Sequence, residues 1–269
     1  MSNDPTTFIQ TEFARYLLGP QPKATLLHAT PEIVIAQATM GYTGVYQANP
    51  LTEKQQETYW KELGNTKLKG PLEMATTFWL VENVTRAFTH QLARYRLGTS
   101  MVQESQRFIV QATYEVHDPH NTAIIMIPTA TINAGRIEEF IEKCDLAMSE
   151  YHSQIHQGVP VQDARALLPT HICTRLYLSV NLAALVHIYE QRTCCQAQHG
   201  EWSEVVHQFR SELMGKGFTH YANSLLTPWQ NPNCITCGFG ANFDRPCKHA
   251  NMFQANLEAA YWKDVERKG

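Results

Sequence analysis

The chain has 269 residues, 43% hydrophobic and 17% charged, which is the composition of a folded globular protein and excludes a disordered one. With 22 basic and 25 acidic side chains the formal net charge is -3, so a general nucleic-acid binder is disfavoured, while a local anion site remains open. No segment has the uninterrupted apolar length of a membrane span, and "MSNDPTTFIQ" at the start lacks a charged-then-apolar signal, so the expectation is a cytoplasmic chain with no membrane partner.

In chain order, residues 24–40, "ATLLHATPEIVIAQATM", read as a strand, a Thr-Pro turn and a helix starting near Pro31. "NPLTEKQQETYWKEL" is an amphipathic helix with Thr52 as its cap. "ATTFWLVENVTRAFTHQLARYRL" reads as a strand leading into a helix, and "YEVHDPHNTAIIMIP" as strand and turn. From "NAGRIEEFIEKCDLAMSEYHSQIHQG" the pattern is helical, with Ile137, Phe140, Ile141, Cys144 and Met148 on one face and Gly158 at the end. "VQDARALLPTHICTRLYLSVNLAALVHIYEQRTC" is expected to open with a short helix interrupted at Pro169, followed by one long helix. "EWSEVVHQFRSELMGKG" makes a further helix, closed by Gly215 or Gly217. Helices packed on a modest sheet place the chain in the α+β class, with a main domain over 1–228 and a Cys/His-containing extension over 229–269.

Motifs for a protein nucleophile are missing: there is no G-x-S-x-G elbow, no P-loop lysine and no H-E-x-x-H. An enzyme with this sequence therefore leaves the difficult chemistry to a cofactor. The arginines are better organised. Arg94, Arg96 and Arg107 cluster with Gln91, Gln103 and Ser105; Arg165 and Arg192 form a second group, with Asn181 and His187 between them. On one continuous helix Asn181 and Arg192, eleven apart (192 − 181), would share a face. Polar side chains in so apolar a run need partners, which nearby backbone or a ligand could supply. Guanidinium forks suit bidentate phosphate recognition.

These two groups carry a resemblance. "VENVTRAFTHQLARYRLGTSMVQESQRFIV" resembles the signature segment of the flavin-dependent thymidylate synthases, the ThyX family, and "DARALLPTHICTRLYLSVNLAALVHIYEQRTCCQAQ" resembles their second block. The spacings from Arg165 to Asn181 (16) and to Arg192 (27) are kept. Four departures stand out. Tyr95 replaces the central His of Arg-His-Arg, and eight residues rather than seven separate Arg96 from Ser105, so a bulge or shifted register is expected there. His187 replaces a second Asn, and "AQHGEW" replaces Ala-Gln-Trp-Glu.

The resemblance implies long helices on a mainly antiparallel sheet. It implies an enzyme that methylates C5 of a uracil nucleotide (dUMP to dTMP) with FAD as cofactor and methylenetetrahydrofolate and NADPH as co-substrates, and a homotetramer whose sites combine several subunits. UMP as substrate, hydroxymethylation, and a binder without turnover stay as alternatives. By the same resemblance Glu73, Arg94, Tyr95, Arg96, Asn181 and His187 would hold FAD. Gln91, Gln103, Ser105, Arg107, Arg165 and Arg192 would hold the nucleotide, with Arg192, Ser105 and Arg96 nearest the chemistry. Outside it, Cys234, Cys237, Cys247 and His249 offer three thiolates and an imidazole for a structural zinc; reduced cysteines or a disulfide are the other readings.

Overall fold

The structure, a computed structural model, describes residues 8–66, 68–111, 123–194 and 200–225. The Cys/His extension with its four candidate zinc ligands lies outside the described residues, as does most of "YEVHDPHNTAIIMIP".

Among the described residues, seven strands form two sheets. Strands β1 (Phe8–Gln10), β2 (Arg15–Leu18) and β6 (Ile124–Ile127) make the smaller one, in which β2 and β6 run parallel. Strands β3 (Lys23–Ala29), β4 (Thr76–Thr85), β7 (Cys173–Asn181) and β5 (Thr99–Gln103) make the larger, fully antiparallel one in the order β3-β4-β7-β5. The helices are α1 (Ile33–Met40), α2 (Glu53–Asn65), α3 (Arg86–Leu92), α4 (Thr129–Asn133), α5 (Ile137–His156), α6 (Val161–Ala164), α7 (Leu182–Arg192), α8 (Glu201–Gly215) and α9 (Thr219–Ser224). The architecture is α+β, as the sequence predicts.

Each sheet has its own core. Trp79, Val81, Leu176, Leu178 and Val180 from one face of the larger sheet bury against helices α1, α2, α7, α8 and α9. Around the smaller sheet, Tyr16, Ile125 and Ile127 pack with the Cys144, Met148 and Tyr151 face of α5. Local sequence explains the helix ends. Thr52 and Gln55 make a reciprocal capping box at the start of α2, and Gly158 at φ +87° follows α5 where a side chain would be strained.

One expectation fails, and the bulge half of another fails with it. The single long helix after Pro169 is in fact the strand β7 followed by α7. In "CTRLYLSVN" Thr174, Leu176, Leu178 and Val180 are buried while Arg175 and Tyr177 are exposed. This alternation has the period of a strand, and Thr, Val and aromatic side chains favour it. Asn181 is therefore the cap of α7 and not a mid-helix residue, and it shares no helix face with Arg192. Secondly, the stretch between Arg96 and Ser105 contains β5, which pairs with β7 residue for residue from Thr99↔Val180 to Gln103↔Leu176. The ladder has no bulge; the register break of this sheet's centre lies instead in β4, between Val81 and Val84, where Asn83 has φ +56°.

Candidate active site

The β5–β7 ladder brings the two arginine-bearing segments together. At one of its ends the turn after α3 meets the start of α7. There the Asn181 N–H donates to the Gly98 carbonyl at 2.8 Å, and the Asn181 side chain accepts from the Ala184 N–H at 2.9 Å. Gly98 has φ +70°, and a Cβ placed on it would lie 2.5 Å from the Asn181 amide. Only glycine fits this crossing.

A cavity of about 620 Å³ opens here, lined by Glu73, Arg94, Tyr95, Arg96, Leu97, Gly98, Asn181, Ala183, Ala184 and His187. All six residues that the resemblance assigns to FAD are in this wall. Its volume is that of a small-molecule site, and its charge comes from two guanidiniums, one carboxylate and the N-terminal end of α7, which together favour an anionic group.

Tyr95 and Arg192 connect this cavity to its surroundings. The Arg192 guanidinium lies over the Trp202 ring at 4.4 Å and the Tyr95 ring at 5.3 Å, and its Nη1 donates to Gln91 Oε1 at 2.7 Å. Tyr95 donates its hydroxyl to Gln191 Oε1 at 3.0 Å. Burial raises the Tyr95 phenol above its ordinary range, and the Arg192 charge and hydrogen bond work against that.

The remaining nucleotide candidates sit at the other end of β5, five residues along and so roughly 15 Å away. Gln103 Nε2 donates to Thr89 Oγ1 at 3.0 Å, Ser105 Oγ accepts from the Arg107 N–H at 3.3 Å, and Arg107 Nη2 donates to Gln162 Oε1 at 3.2 Å. Arg165 is exposed just beyond α6. One chain thus splits the predicted site residues into two groups, with Gln91 and Arg192 at the first.

Sequence reasoning gave no part to Gly98, Trp202, Arg86 or Glu201. Arg86 donates from Nη2 to the Glu104 carbonyl at 2.6 Å; burial lowers its pKa, Glu104 opposes this and the Arg165 charge adds to it. The Glu201 carboxylate, 9% exposed, accepts from the Thr85 backbone N–H and from Thr85 Oγ1, while Thr85 itself caps α3. Burial pushes Glu201 up to about 7, against those two hydrogen bonds. A glycine between a basic turn and a β-prone run was the available signal for Gly98, and the altered "AQHGEW" stretch was the signal for Glu201 and Trp202; nothing local marked Arg86.

A profile of the family described as thymidylate synthase complementing protein matches residues 25–215. The chain belongs to this family of enzymes. It is 27% identical over 197 residues to the flavin-dependent thymidylate synthase of Nitratidesulfovibrio vulgaris, covering 66% of this chain and 77% of that one. With the flavin-dependent thymidylate synthase of Pyrococcus furiosus it shares 32% identity over 174 residues, covering 62% and 66%. Among solved structures, a UMP/dUMP methylase, PolB, from Streptomyces cacaoi with 5-Br dUMP superposes with a TM-score of 0.63 at 18% identity, over 77% of this chain and 95% of that one. Thymidylate synthase X from Helicobacter pylori with FAD and dUMP gives 0.59 at 16%, over 76% and 99%. The fold is therefore ThyX-like.

Proposed function

We propose that the protein methylates C5 of dUMP to give dTMP, with FAD held in the cavity beside Gly98 and with methylenetetrahydrofolate and NADPH as co-substrates. The observation that carries this reading is the convergence of Glu73, Arg94, Tyr95, Arg96, Asn181 and His187 on one cavity. That donor set fits FAD: two guanidiniums and the start of α7 match a diphosphate. When bound, FAD supplies the redox chemistry.

The chain's own residues bind and orient. Arg94 and Arg96 are placed to pair with anionic groups of the cofactor, and Asn181 holds the turn that carries them. Arg192, kept beside the cavity by Gln91, offers a fixed positive charge to the nucleotide, where it would draw electron density from the base or neutralise its phosphate. Ser105, Arg107 and Arg165, with Gln103, form the second anion-recognising group.

Because those two groups lie at opposite ends of β5, a complete site is best made by residues of more than one subunit, in the homotetramer that the resemblance implies. The larger sheet offers a surface for such an assembly: Phe78 and Tyr177 stack at 5.6 Å and, with Val102, are exposed on the face away from the helices.

The purified protein should carry a flavin spectrum, or gain one on addition of FAD, at one equivalent per chain. A protein that retains no flavin once unbound FAD is removed contradicts the reading. UMP is taken in parallel with dUMP, since Tyr95 and His187 alter the wall that the family fills with His and Asn.

A further inference from the structure

We propose that Trp202 and Tyr95 are positioning residues that act on the nucleotide through Arg192; this rests on the nucleotide role proposed above for Arg192. Arg192 ends α7, Tyr95 follows α3, and Trp202 lies in the first turn of α8, so three helices meet at one guanidinium. The Trp202 indole is 2% exposed and stacked on Phe88 of α3 with ring centroids 4.0 Å apart, which fixes its face. Tyr95 meets it edge-on at 6.2 Å. Between them the guanidinium carbon is 4.4 Å from one ring and 5.3 Å from the other, with Nη1 tied to Gln91.

The choice of partners matters more than their number. A carboxylate beside Arg192 would neutralise it and consume its N–H groups. Aromatic faces attract the cation through the ring quadrupole and accept none of those in-plane donors. Arg192 therefore keeps its charge, with neutral oxygens of Gln91 and Tyr95 as its hydrogen-bond partners. Its Nε is buried and has no hydrogen-bond partner among the described residues, a costly arrangement unless an acceptor arrives. The oxygens of a uracil nucleotide, carbonyl or phosphate, are acceptors of that kind. Tyr95 adds a connection: its ring lines the cavity as well as touching Arg192, so whatever fills the cavity bears on the same clamp.

This role separates from ordinary core packing by ring electronics. Replacing Trp202 with mono-, di- and trifluorinated tryptophans withdraws electron density and leaves the shape of the residue nearly unchanged. The expected result is a graded loss of dUMP affinity, roughly tenfold across the series, with unchanged FAD affinity and melting temperature. A flat series overturns the proposal.

A second measurement stands apart from nucleotide binding. In ligand-free crystals of Trp202→Leu and of Tyr95→Leu, the Arg192 guanidinium should leave Gln91 Oε1; finding it in place in both overturns the clamp. A parent protein that binds no uracil nucleotide would instead refute the function proposed above, and the crystal structures would still decide whether the two rings hold Arg192. If Trp202→Leu does not fold, the Tyr95→Leu crystal and the fluorinated proteins decide.

Discussion

Asn181 and Gly98 are in direct contact: the Asn181 N–H donates to the Gly98 carbonyl at 2.8 Å, and the Asn181 amide fills the space of a Cβ on Gly98. This contact closes the end of the β5–β7 ladder where the cavity lies. Gly98→Ala has to relieve both φ +70° and the clash, so it should cost roughly 1–3 kcal/mol of stability. It should also weaken FAD binding at least tenfold. Chemical denaturation and a flavin titration check the two effects.

Asn181 has two separable jobs. Its side chain caps α7 through Ala184, so Asn181→Ala should lose about 1 kcal/mol, the usual value of a cap. Asn181→Asp keeps the cap but brings a negative charge into the wall that holds Arg94 and Arg96. It should therefore be nearly as stable as the parent and bind FAD less tightly. Equal FAD binding by the Asp variant and the parent would show that Asn181 serves the helix alone.

Arg192→Ala should weaken dUMP binding by about 1.5–3 kcal/mol, the range for a charge-assisted hydrogen bond. FAD should still bind, since Arg192 lies beside the cavity and not in its lining. Isothermal titration of the FAD-loaded variant reads this directly, and a dUMP affinity equal to the parent's would remove Arg192 from the nucleotide site.

Glu201 sets a pH dependence. Its folded pKa of about 7 lies above the ordinary 4.5, so between those values the folded chain holds a proton that the unfolded chain has lost. This group's contribution is most favourable below pH 4.5, declines as pH rises to about 7 and is constant above that. The difference is on the order of 3 kcal/mol. Glu201→Gln should flatten that part of the stability-pH curve. Urea denaturation at several pH values tests it, and an unchanged slope in the variant contradicts the assignment.

The sequence disclosed the helices whose apolar faces are continuous. The Cys144–Met148 stripe of α5 and the Thr52 box of α2 depend only on neighbours three or four residues away, so both are readable without a fold. β7 was not, because Leu176, Leu178 and Val180 run into the equally apolar start of α7 with no Gly or Pro between them. The break is Asn181, a cap residue whose meaning depends on the strand before it. At the site, five of the six cavity residues were legible through the order and spacing of two family segments, while Glu73 lies outside both; the six line one cavity. Trp202 and Glu201 escaped because their partners Arg192 and Thr85 reach them across the fold, from α7 and β4.

The most direct test of the central claim is product analysis of the FAD-loaded protein incubated with dUMP, methylenetetrahydrofolate and NADPH, with UMP in a parallel reaction. The expected product is a nucleotide heavier by one methylene, with the methyl group on C5, formed only when both the folate and the flavin are present. Recovery of unchanged dUMP and unchanged UMP from protein that has bound FAD and the nucleotide would contradict it.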